Sequence, residues 1–259
     1  MRFEILNVDH GFCAYAVGSD GGVLLFDCGH GPANRPSFFL PARGITNIRR
    51  FFVTNYDEDH ISDLLAVRRN LNLEVLTRNF SLTSAQIRSL KDPPISPSMN
   101  ELLAMVDSYT GSVAPHQLEL AGLNVRIYHN DYPAFTDTNN LSLLTFLDVG
   151  NVSFVLGGDL ERPGWLRLLI NPEIRALLSR VDVFVASHHG RESGYCAEVF
   201  NYCKPRLVVM SDGPIQYDTQ RMSTTYANHA SGELFTTASG QEVRKVVTTR
   251  SDGNIFWDL

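Results

Sequence analysis

Between residues 54 and 64 the chain reads Thr-Asn-Tyr-Asp-Glu-Asp-His-Ile-Ser-Asp-Leu. Asn55, Asp57, Asp59 and His60 therefore share one turn-sized segment directly after the apolar run Phe51-Phe52-Val53. Oxygen donors and an imidazole gathered at the end of a buried strand suit a hard or borderline divalent metal. Two later segments have the same build. Phe154 to Leu156 leads into Gly157-Gly158-Asp159, and Val183 to Val185 leads into Ala186-Ser187-His188-His189-Gly190. Three apolar runs, each delivering potential ligands at its carboxyl end, form one constellation. A hydrolytic metal site needs three or four protein ligands per ion and a position open to water. It also needs carboxylates to bridge or balance charge where two ions lie about 3.5–4 Å apart. Asp59 and His60 are adjacent and cannot both face inward from one side of a strand, which places them in an irregular strand-to-helix loop; Asp57 and Asp59 alternate and can share a face. The plainer alternative is an acidic helix N-terminus, in which these carboxylates satisfy free amides and the helix dipole.

The elements that must position these residues can be read around them. Phe3–Val8, Ala14–Val17 and Val23–Phe26 read as strands joined by glycine turns, an antiparallel start to a sheet. Ile48–Val53 is the next strand, and Ile61, Leu64, Leu65 and Arg68 stand at helical spacing, predicting a helix that begins just after His60. Asp92 to Pro97 must be a loop, because its prolines remove donors and fix the backbone. Helices are expected over 100–109, over 165–180 with Pro172 at a start or break, and over 196–203. Ala121–His129 reads as a hairpin or a single strand. Further strands are expected over 139–149 and 152–156, joined at Gly150-Asn151, over 206–210, and over 243–249, before a turn at 251–254 and a last strand at 255–257. Strands paired through short turns in each half, with helices between them, predict two sheets with helices outside.

Length and composition bound the rest. At 259 residues and 44% hydrophobic, the chain fits a single α/β domain, 1–259, or two closely packed halves. No apolar run approaches the roughly 20 residues of a membrane span. The N-terminus lacks the basic and apolar regions of a secretory signal, so a cytoplasmic protein with no membrane partner is expected. A net charge of −6 argues against a surface that coats nucleic acid, though bound metal can offset it locally. Cys13, Cys28, Cys196 and Cys203 form no close pair and read as small buried hydrophobes in a reducing compartment.

The motifs together resemble the metallo-β-lactamase fold superfamily, and within it the metallo-hydrolase domain of bacterial DNA-uptake competence proteins. That branch shows His-Pro-Asp-x-Asp-His-x-Gly-Gly where this chain has Asn55 to Asp63. Asp57, Asp59 and His60 match; Asn55 replaces the leading His, and Ser62-Asp63 replace the glycines. Asn7 to Gly11 resembles the opening Val-Gly-Gln-Gly segment, with Phe12 where an acidic residue is usual. Phe26 to Gly29 resembles the Asp-x-Gly turn, and Thr138 to Ser142 the Asn-x-x-Ser segment. Phe154 to Asp159 resembles the strand ending in a metal-bridging Asp, Ser187 to Gly190 the His-His-Gly loop, and Thr249 to Ile255 the terminal hairpin. The resemblance implies a four-layer αββα sandwich with a divalent metal, one or two ions, in the cleft between the sheets. One site would use Asp59, His60 and a histidine of the 188–189 pair, with His189 preferred over His188, and Asp159 would bridge. A second site would use Asp57 and Asn55. Zinc or manganese are the expected ions, the Asn55 amide favouring harder metals. The chemistry implied is attack of a metal-bound hydroxide on a phosphodiester, with Asp59, Asp159 and His189 as catalytic residues.

The residues leave other roles open. His10 reads equally as a substrate or proton-transfer residue and as a turn histidine. Asn140 and Tyr217 are candidates for substrate binding, and Asn139 and Asn140 read equally as turn caps. His30, His116, His129 and His229 read as surface or turn histidines. The carboxylate-rich set points to a phosphodiesterase or nuclease, with a nucleic acid or nucleotide as partner. A non-catalytic binding module of the same fold is the alternative that Asn55, Phe12 and Ser62-Asp63 motivate. A hydrolase of esters, thioesters or lactams is a third.

Overall fold

Alternation along the strands sorts their side chains into three separate cores. In the segment 23–26, Leu24 and Phe26 point one way and Val23 and Leu25 the other; in 50–52, Phe52 joins the first group and Phe51 the second. The second half repeats the pattern, with Phe154 and Leu156 on one face and Val155 on the other. The faces that meet form the inter-sheet core, where Phe3 lies 4.6 Å from Phe154 between ring centroids. The outward faces need helices to cover them.

A computed structural model describes residues 1–114, 118–237 and 240–259. Its strands, in chain order, are β1 Arg2–Ile5, β2 Ala14–Val17, β3 Val23–Phe26, β4 Asn47–Ile48, β5 Arg50–Phe52, β6 Asn72–Leu73, β7 Leu76–Thr77 and β8 Leu123–His129. They continue with β9 Leu143–Val149, β10 Val152–Leu156, β11 Val183–Val185, β12 Leu207–Met210, β13 Glu233–Thr237, β14 Gly240–Arg244, β15 Val246–Thr248 and β16 Ile255–Asp258. The helices are α1 Pro36–Ala42, α2 Glu58–Ile61, α3 Leu64–Asn70, α4 Ser84–Ser89, α5 Pro97–Ser108, α6 Arg162–Leu168, α7 Pro172–Leu178, α8 Ser223–Ala227 and α9 Thr249–Asp252.

Two six-stranded sheets result, ordered β16-β1-β2-β3-β5-β7 and β15-β12-β11-β10-β9-β8. Both are antiparallel at one side and parallel at the other. β3, β5 and β7 run parallel in the first sheet, and β10, β11, β12 and β15 in the second. Helices α3, α4 and α5 cover the first sheet through Leu64, Val67, Ile87, Leu102 and Met105. Helices α6, α7 and α8 cover the second through Trp165, Ile174, Leu178 and Tyr226. The architecture is the four-layer αββα sandwich. Among the described residues, no helix is long and apolar enough to cross a membrane.

The structure corrects several expected boundaries. The helix expected after His60 begins earlier, as α2 over Glu58–Ile61, so Asp59 and His60 lie in a helical turn with Asp57 at the N-cap position. Consecutive helical positions diverge by about 100°, which lets neighbours reach different sides of one centre. Pro97 opens α5 instead of belonging to the loop, with Ser96 capping the Met99 amide, because proline is tolerated at a first helical position. The 196–203 segment is only a short 3-10 turn over Ala197–Asn201, and the strand expected over 243–249 is split between β14 and β15. Residues 139–142 precede β9 as turns. His116 lies outside the described residues.

Candidate metal centre

The carboxyl ends of β3, β5, β10, β11 and β12 converge at one rim of the sandwich. Asp59, His60, Asp159 and His189 meet there, each offering one ligand atom, and these atoms lie within 4.8 Å of one another. His60 Nε2 is 3.0 Å from Asp159 Oδ1, and His189 Nε2 is 3.1 Å from Asp59 Oδ2 and 3.7 Å from Asp159 Oδ1. Each imidazole is fixed through its other nitrogen. His60 Nδ1 is 2.6 Å from Asp27 Oδ2, and His189 Nδ1 is 3.0 Å from the Ser211 carbonyl. A partner at Nδ1 sets the tautomer and presents Nε2 to an ion, the usual support for a metal-bound histidine. Asp27 is itself held by the Thr54 amide at 2.7 Å and by the Thr54 hydroxyl.

Local backbone features set these positions. Asp27, His188 and His189 are non-glycine residues with positive φ, at 57°, 51° and 56°. Such conformations cost of order 1–3 kcal/mol each and persist where the surroundings over-determine them, commonly at functional sites. Gly158, with φ +52°, packs so closely that a Cβ would lie 2.9 Å from the Ser142 Cβ; the Asp159 amide can then donate to the Ser142 hydroxyl at 3.0 Å. At Gly29 a Cβ would lie 2.1 Å from the Asp59 carbonyl oxygen, so the Asp-x-Gly turn seats the α2 turn directly.

The two imidazoles and the carboxylates around them are strongly linked electrostatically. Burial disfavours an imidazolium at His60, but Asp159 and Asp27 on its two ring nitrogens outweigh this and hold its pKa well above the ordinary value. Burial likewise opposes the charge on His189, and Asp159 and Asp59 raise its pKa. Burial works against the Asp159 carboxylate, yet His60 and His189 hold its pKa below the ordinary range. The side chains of His60, Asp159 and His189 are at most 3% exposed, whereas Asp59 is 37% exposed, so the centre opens to solvent on the Asp59 side. His189 Nε2 is buried without a hydrogen-bond partner and points at both carboxylates. Two carboxylates and two oriented imidazoles around such an atom fit a divalent ion, whose binding would displace protons.

The other sequence candidates lie outside this cluster. Asp57 is ion-paired with Lys91 and accepts the Thr138 hydroxyl at 2.8 Å. The Asn55 amide oxygen accepts the Asp57 amide at 2.8 Å, and its nitrogen donates to Asn139 Oδ1 at 3.2 Å. His188 faces Ser193 at 2.9 Å and Glu161 at 3.5 Å. The Asn140 oxygen accepts the Glu161 and Gly164 amides at 3.2 and 2.9 Å, which ties it to the start of α6. Tyr217 is 63% exposed on the loop after β12. His10 stands beside the centre, where burial, Arg191 and His189 lower its pKa; its Nδ1 is buried and unpartnered, and Nε2 is 3.2 Å from Gln220 Nε2. His129 pairs with Asp131, and His229 stacks on Phe200. Asp27 is the residue that the sequence reading did not single out, although the strand ending Phe26-Asp27-Cys28-Gly29 has the same form as those that supply the other four.

No family model matches the chain. The ComE operon protein 3 of Bacillus subtilis (strain 168) is 26% identical over 179 residues, which cover 68% of this chain and 21% of that protein. The chain thus corresponds to about a fifth of its curated relative's length. YhfI from Bacillus subtilis, a metallo-β-lactamase fold protein, superposes with a TM-score of 0.56 at 12% identity over 99% of both chains. The chain has the metallo-β-lactamase fold. Igni18 from Ignicoccus hospitalis, a metallo hydrolase, gives a TM-score of 0.54 at 13% identity over 100% of both chains. CmlA from Streptomyces venezuelae, a diiron β-hydroxylase, gives 0.56 at 14% identity over 99% of this chain and 54% of CmlA. The metallo-β-lactamase fold therefore carries more than one metal chemistry, and function must be argued from the site.

Proposed function

We propose that the chain is a metal-dependent hydrolase of phosphodiester bonds, a phosphodiesterase or nuclease, with Asp59, His60, Asp159 and His189 as its metal ligands. The observation that carries this reading is the four-residue cluster with both imidazoles oriented, His60 by Asp27 and His189 by the Ser211 carbonyl. A bound divalent ion would act there as a Lewis acid and lower the pKa of water. Zinc and manganese both suit two carboxylates and two imidazoles. Asp59, the most exposed of the four, stands on the side where substrate enters, and Asp159 sits at the floor between the two imidazoles. His10, beside His189 with lowered proton affinity, is placed to hold or pass a proton on that side. The likeness to the ComE operon protein supports a nucleic acid or nucleotide as substrate. The four cysteines are free and buried, which supports a reducing, cytoplasmic setting.

The test is hydrolysis of bis(p-nitrophenyl) phosphate and of single- and double-stranded DNA by protein loaded with manganese or zinc. Turnover should stop with chelator and fall at least about 100-fold in Asp159→Ala and His189→Ala. Metal-loaded protein that cleaves no phosphodiester would defeat the proposal. A binding module of the same fold is the second reading, favoured by the engagement of Asn55 and Asp57 away from the cluster. It predicts nucleotide or nucleic-acid binding that survives in Asp159→Ala.

A further inference from the structure

Beside the centre, the same segment that supplies Asp59 and His60 carries Asn55 and Asp57, and the Asn55 oxygen and one of the two Asp57 carboxylate oxygens are taken by protein groups. Lys91 reaches 34 residues back along the chain to pair with Asp57 Oδ1, and the Thr138 hydroxyl donates to the same oxygen. The Asn55 oxygen is occupied by the Asp57 amide, and the Asn139 oxygen by the Asn55 amide group. The Asn139 amide group donates in turn to Glu161 Oε1 at 3.3 Å, the carboxylate nearest His188. An ion ligated by Asp57 would have to displace the ammonium or sit against its like charge. Lys91 is only 16% exposed, and its pairing with Asp57 uses one of its three donors.

We infer that this chain holds a single metal ion, at Asp59, His60, Asp159 and His189, and that the Lys91 ammonium is a built-in second cation that binds an anionic oxygen of the substrate. The inference rests on the metal centre proposed above. It differs from a two-ion centre in what Asp57 does: here the carboxylate positions a lysine, the Thr138 hydroxyl holds the carboxylate, and Asn55 holds the Asp57 backbone amide. The anion this arrangement would suit is a phosphate group, for which an ion at the cluster and the Lys91 ammonium would together supply the positive charge common in phosphoryl sites.

The experiment is a manganese titration of the full chain with elemental analysis after gel filtration, followed by titration of the loaded protein with inorganic phosphate. One ion per chain is expected in the unaltered protein, in Asp57→Asn and in Lys91→Met. Phosphate affinity should fall about 10-fold or more in Lys91→Met and be largely kept in Lys91→Arg, the scale of a hydrogen bond to a charged group. Circular dichroism checks that each variant is folded, and Lys91→Gln replaces Lys91→Met if the latter is not. Two ions per chain in the unaltered protein would overturn the inference and leave the hydrolase reading intact. Fewer than one ion in folded Asp57→Asn would overturn it, as would unchanged phosphate affinity in Lys91→Met. No ion in the unaltered protein would overturn both readings. One ion, with Lys91-dependent phosphate binding and no phosphodiester turnover, would defeat the hydrolase reading alone.

Discussion

Residues 55–57 and 59–60 belong to one short stretch, are alike in chemical type, and have opposite fates. Asp59 and His60 turn into a buried cluster with Asp159 and His189. Asn55 and Asp57 turn toward Lys91, Thr138 and Asn139, where the Asp57 charge is paired and the Asn55 amide hydrogen-bonded. The difference arises from what each half meets. The first meets a second carboxylate and imidazoles whose Nδ1 atoms are already occupied, so both Nε2 atoms face the carboxylates of the cluster. The second meets an ammonium, a hydroxyl donor from Thr138 and an amide acceptor from Asn139, so the Asp57 charge is paired within the protein. In the first half every charged neighbour within the cluster is itself a potential ligand; in the second the carboxylate is paired with an ammonium, which is not.

The comparison can be broken most severely at the cluster itself. Replacing His189 or Asp159 by alanine should lower manganese affinity by more than about 100-fold, because direct ligands matter more than the groups that orient them. Isothermal titration would show this, and near-normal affinity in either variant would remove that residue from the ligand set. Asp27→Asn keeps the shape but weakens the hold on His60 Nδ1. It should cost about 10- to 100-fold in metal affinity by the same titration, the usual range for such a partner. Metal should also stabilise the fold: with free manganese at about 100 times Kd, the gain is about 2.7 kcal/mol. Denaturant melts with and without metal should show that gain in the unaltered protein and less than about 0.4 kcal/mol in His189→Ala. The smallest effect belongs to the neutralised half. Lys91→Met should destabilise the chain by about 1 kcal/mol or less, because partly exposed ion pairs contribute little. A metal affinity that fell in step with Asp27→Asn would erase the distinction between the two halves.

Much of the frame was legible because short-range rules govern it. Continuous apolar runs in 23–26, 51–53, 154–156 and 183–185 mark strands with two buried faces, their side chains pointing alternately to each. The strand-end position of Asp59, Asp159 and His189 follows from the same runs. Boundaries set by capping were less visible: α2 starts before His60, and α5 at Pro97. Asp27 went unassigned because a lone carboxylate in a glycine turn has an ordinary structural explanation; only the 2.6 Å contact with His60 gives it a role. Asn140 shows the reverse case. It stands in a motif-like segment, yet its oxygen is used by the first turn of α6.

By itself the sequence determined two sheets with helices outside them and the inventory of possible ligands, since strand periodicity and residue type are local properties; the αββα layering was implied by the resemblance. The resemblance implied a centre of Asp59, His60, Asp159 and His189; tertiary structure alone decided that Asn55 and Asp57 are engaged away from it. That selection depends on groups distant along the chain: Asp27 on His60, the Ser211 carbonyl on His189, and Lys91 on Asp57. A buried charge is settled by whichever partner the fold brings within a few ångströms, and sequence spacing carries no record of that distance.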